Sequence, residues 1–101
     1  MASHITSNTI TIADDAQFTV QGGNSSLCMV SENNSGIGLA WGFNYTAGNT
    51  VIIYDPSSKG STGNADTKLC LAGQSNSATA IFINRIGASK TFGFMVFHTD
   101  S

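Results

Sequence analysis

Charge is scarce in this 101-residue chain: four Lys/Arg and six Asp/Glu leave a net charge of −2. Four cations cannot neutralise a run of phosphates, which excludes nucleic-acid binding through the backbone. No apolar run approaches the roughly 20 residues a membrane helix needs, so no transmembrane segment is expected. The N-terminus lacks a basic stretch followed by an apolar one, so no signal peptide is legible. The expectation is a cytoplasmic protein, or one released by a non-classical route. Helix formers are thin, and no window carries apolar residues at i, i+3, i+4 and i+7. There are two histidines and two cysteines. Cys28 and Cys70 stand far apart with no CxxC spacing or paired histidines, so neither a metal site nor a cofactor is expected. They are expected to be free, buried thiols in a reducing cytosol, and could bridge only with Cα atoms within roughly 7 Å.

What the chain does have is neutral polarity and period-2 alternation. It holds 13 Ser, 11 Thr, 9 Asn and 11 Gly, yet 41% of its residues are hydrophobic, which argues against disorder. Ile37, Leu39, Trp41 and Phe43 alternate with Gly38, Ala40, Gly42 and Asn44, so one face is bulky and the other small. The small face would let another backbone, sheet or flat ligand approach closely. Further strand candidates are residues 9–13, 18–21, 27–31, 50–54, 68–72, 78–84 and 92–98, separated by clusters of Gly, Asn, Ser and Asp. These predict a single all-β domain over 1–101, a small antiparallel β-sandwich or barrel of about eight short strands. Ile10, Ile12, Leu27, Met29, Leu39, Trp41, Ile53, Leu69, Leu71, Ile81, Phe94 and Val96 are the expected core.

The chain reads as two duplicated halves. Residues 8–14 (NTITIAD) resemble 49–55 (NTVIIYD), and Leu27-Cys28-Met29 resembles Leu69-Cys70-Leu71. A repeat over about 6–44 and 46–86 implies pseudo-two-fold symmetry, closed by an unpaired strand over 91–98. That last strand is apolar on both faces, Phe92, Phe94 and Val96 on one and Met95 and Phe97 on the other. Association with a second copy would cover the spare face, so a homo-oligomer is expected.

Catalysis is not expected. His4 sits at an end expected to fray, leaving His98 without a nucleophile turn, and no pair of carboxylates is placed to flank a scissile bond. Asp14-Asp15, Glu32, Asp55 and Asp66 read as solvated turn residues. The repeat nonetheless sets Asp14 beside Asp55 and Asn34 beside Asn76 as equivalent loop positions. Carboxylate and amide groups match vicinal sugar hydroxyls, and Tyr45 or Tyr54 would supply a stacking face. Asp14, Asn34, Tyr45, Tyr54, Asp55 and Asn76 are therefore the candidate binding residues of a non-enzymatic, lectin-like module for a neutral glycan. The alternative is a self-assembling structural protein, a shell, fibre, decoration or inclusion subunit, favoured by the lack of charge that would oppose association.

Overall fold

The computed structural model describes residues 3–45, 50–74 and 78–99. Among these the chain is all β, with no helix, and hence none long and apolar enough to cross a membrane. The strands are β1 (Ser3–Ile12), β2 (Gln17–Gln21), β3 (Ser25–Glu32), β4 (Gly38–Asn44), β5 (Thr50–Tyr54), β6 (Gly60–Ser61), β7 (Leu69–Gly73), β8 (Thr79–Asn84) and β9 (Lys90–Thr99). They form a five-stranded sheet, β1-β9-β3-β4-β5, packed on a four-stranded sheet, β2-β8-β7-β6. The architecture is a sandwich rather than a barrel. Pairing is antiparallel except between β6 and β7, which run parallel, a departure from the purely antiparallel expectation.

Alternation explains the core. Ile12, Cys28, Val30, Leu39, Trp41, Phe43, Phe92, Phe94 and Val96 point inward from the five-stranded sheet, and Val20, Leu69, Leu71, Ala80 and Phe82 meet them from the other. Phe82 lies edge-on to Trp41, Phe92 and Phe94, at centroid distances of 6.3, 5.2 and 5.0 Å. The indole N–H of Trp41 donates to the Ser61 carbonyl at 3.1 Å, so burial leaves no orphan donor. At Gly22 a Cβ would lie 2.3 Å from the Ser26 hydroxyl and 2.8 Å from the Phe43 ring, so only glycine fits where the chain crosses between sheets. Gly36, at φ 74°, supplies the left-handed turn of the β3–β4 hairpin.

Several expectations are corrected. The terminal strand is not an unpaired extra: β9 lies inside the larger sheet, paired with β1 on one side and β3 on the other. The first strand starts at residue 3 rather than 9, because β9 is long enough to pair all ten of its residues, His4 opposite His98 included. Met29 and Ile53 are outside the core, 45% and 62% exposed, and Leu27 and Ile81 are half-buried on the outward sides of their strands. Met29 takes the outward side of β3's alternation, and the pairing of β4 with β5 shifts register between Ala40 and Trp41. Ile53 takes the outward side of β5 with Val51, and that bulge turns Tyr54 to the same side, opposite Ala40. The pseudo-two-fold is not displayed. The matched segments of β1 and β5 are opposite edges of one sheet, whereas β3 and β7, which carry the cysteines, lie in different sheets.

Candidate functional site

Every charged side chain among the described residues lies at one end of the sandwich. Asp14 and Asp15 follow β1, Glu32 ends β3, Asp55 and Lys59 follow β5, Asp66 and Lys68 precede β7, Arg85 follows β8 and Lys90 opens β9. These groups are used within the loops. Asp55 accepts from the N–H groups of Lys59 and Gly60, both at 2.9 Å, so its two oxygens staple its own loop. Asp14 accepts from Gly87 N–H at 3.1 Å, and Asp15 pairs with Arg85 at 2.7 Å. Asn34 is exposed in the β3–β4 turn, and its N–H donates to Glu32.

Glu32 is not the solvated turn residue expected; it is buried. The Asn34 N–H holds its carboxyl below the ordinary range against the opposing effect of burial, with Ser35 and Lys90, 3.8 Å away, adding to the effect. A carboxyl with a lowered folded pKa contributes stability that is present above its unfolded value, near 4.5, and lost as the pH falls through the folded value. Thermal stability of the wild type is therefore expected to fall more steeply below that pH than that of Glu32→Gln, measured as melting temperature against pH. Parallel curves would remove Glu32 from the acid transition.

Cys28 and Cys70 are free and buried. Burial pushes the Cys28 thiol up to about 12, so it stays protonated and inert at neutral pH. Among the described residues no three His, Cys, Asp or Glu side chains converge on a metal position.

The six candidate binding residues do not form one site. Asp14 and Asp55 share an end, but β1 and β5 are opposite edges of the larger sheet, four strand spacings or about 19 Å apart. Tyr45 follows β4 at the opposite, uncharged end, and Asn76 lies outside the described residues. Tyr54 alone stands over a concavity.

That concavity is a groove of about 520 Å³ on the open face of the five-stranded sheet. Register builds it. Gly38 lies opposite Ser31, Ser31 opposite Gly93, and Gly93 opposite Thr9, so small side chains from four adjacent strands make one row across the sheet. The next row holds Met29, Met95 and Ser7, with Tyr54 at the far side against Ala40. Small residues form the floor and longer ones the wall. Beyond the wall the face continues as Leu27, Phe97 and Ile5, with Val51 and Ile53 beside them. Among the described residues no layer covers this face, and it carries no charged side chain. The small face of β4 was legible as alternation. That Gly93 and Ser31 extend it sideways was not, since only strand register aligns residues so distant in sequence. Comparison with protein-family models, with curated proteins and with solved structures gives no match to this chain.

Proposed function

We propose that this protein is a non-enzymatic, lectin-like binding module for a neutral carbohydrate, and that the groove on the open face, rather than the charged loops, receives the sugar. The observation that carries the reading is Tyr54, 58% exposed beside an uncharged groove floored by Gly38, Ser31 and Gly93. A sugar ring has an apolar C–H face and a rim of hydroxyls. An exposed tyrosine suits the first, and Ser7, Thr9, Asn8 and Ser31 at the groove offer partners for the second. The loop carboxylates support the reading less, because Asp55 and Glu32 already accept backbone N–H groups.

Gly38 provides a clean test. A Cβ there meets nothing within 4 Å, so Gly38→Leu should fill the groove without disturbing the fold. On an array of neutral glycans, Gly38→Leu is expected to lose the wild-type signal with unchanged thermal unfolding. Tyr54→Ala should weaken binding about tenfold, or about 1.4 kcal/mol. If Asp14→Asn or Asp55→Asn abolishes binding while Gly38→Leu does not, the site is in the loops. If wild type binds no neutral glycan, the carbohydrate reading fails. A second reading, a self-assembling structural protein, is favoured by the exposed belt of Ile5, Met29, Val51, Ile53, Met95 and Phe97, since monomers seldom leave so many apolar side chains together in water.

A further inference from the structure

The two sheets have four edge strands, and three are protected by the devices that keep sheets from pairing with one another. β5 carries the register shift at Ala40/Trp41 and runs into Asp55-Pro56. β6 is two residues long and lies between Lys59 and Asp66. β2 has only five residues. The fourth, β1, has none of these protections. It runs ten residues, Ser3–Ile12, in unbroken register with β9, and contains no Asp, Glu, Lys, Arg, Pro or Gly. Among the described residues nothing pairs with its outer side.

We infer that β1 is the subunit interface of a homodimer, in which β1 pairs antiparallel with β1 of a second copy and joins the two five-stranded sheets into one. A two-fold axis across an edge strand brings it against itself in the antiparallel sense, the contact a closed dimer requires. The partner is a second copy because both sides of the contact are then equally uncharged. The neighbouring edge strand, β2 (QFTVQ), adds no charge either, and antiparallel pairing sets the Asp14-Asp15 turns of the two copies at opposite ends of the contact. Size agrees as well. Ten residues extend about 34 Å, and with a molecular thickness of 22 Å the side offers a footprint of roughly 750 Å². A standard interface takes roughly 800 Å² from each partner. This is a different surface from the spare face of the closing strand, where Met95 and Phe97 remain exposed. It does not depend on the carbohydrate reading, because edge pairing leaves the face of the sheet open.

Light scattering across a concentration series tests it. The wild type should approach twice the 10.5 kDa chain mass at tens of micromolar. Ile5→Lys combined with Thr11→Lys sets like charges across the pairing at two exposed positions, neither at the groove, and should return the mass to that of one chain. Val51→Lys on the opposite edge should leave the dimer intact. Amide hydrogen exchange on wild type gives an independent reading should the double variant unfold: β1 amides should exchange more slowly in concentrated than in dilute protein. A one-chain mass at all concentrations overturns the inference. So does a dimer that survives the double lysine change, or one that Val51→Lys dissociates.

Discussion

Phe82→Ala is expected to cost about 3–5 kcal/mol, the range for truncating a buried phenylalanine, against a total of about 5–15 kcal/mol for a natural domain. The reason is position as much as size. Phe82 is fully buried on β8 of the smaller sheet, and the rings it touches, Trp41, Phe92 and Phe94, all belong to the larger one. Its removal deletes three aromatic contacts between the layers, leaving Phe18 on Phe94, and opens a cavity whose walls are strands held in register by their neighbours, so little collapse can refill it. Each lost ring pair adds about 0.5–1.5 kcal/mol beyond area burial. Urea unfolding should show the midpoint falling sharply with little change in slope, the mark of a stability change without a change in surface exposed. Phe82→Leu, which keeps much of the volume, should fall between alanine and wild type. Equal midpoints for Phe82→Ala and wild type would mean the sheets are not held together by this ring.

Asn84→Leu should come next, at about 2–4 kcal/mol, although leucine is the more hydrophobic residue. Asn84 is fully buried at the end of β8. Its side-chain N–H groups donate to the carbonyls of Ile12 and Ala88, both at 2.9 Å, and its side-chain oxygen accepts from Ile86 N–H at 3.2 Å. One amide thus ties the end of β1 to the β8–β9 connection. Leucine offers no donor or acceptor, so two carbonyls and one N–H lose their partners; leaving a buried group unsatisfied costs about 1–3 kcal/mol. The cost should appear in urea unfolding and as faster amide exchange around residues 84–88. A variant as stable as wild type would show that water replaces the lost bonds.

Much of the fold was legible because strand alternation is a local property. Leu39, Trp41 and Phe43 read as one buried face, and they are buried. Met29 and Ile53 were misread for the same reason. Met29 is apolar on the outward side of a strand whose inner side is also apolar, so hydrophobicity alone could not assign its face. Ile53 shares the outward side of β5 with Val51, while Ile52 turns inward, so three consecutive apolar residues hid which side was buried. Glu32 was misread because its burial depends on the β3–β4 turn folding its N–H groups back onto the carboxylate.

The sequence by itself determined the all-β class, most strand positions, the inward side of β4 and the scarcity of charge, because each follows from residue type or from the two-residue period of a strand. Tertiary structure alone decided which strands neighbour one another. That choice moved β9 from the margin to the interior, left β1 as the long edge and aligned Gly38, Ser31 and Gly93 into a groove floor. It also brought the charges of six separate segments to one end. Register between distant strands is set by the summed packing of two sheets, and no short stretch of sequence carries that sum.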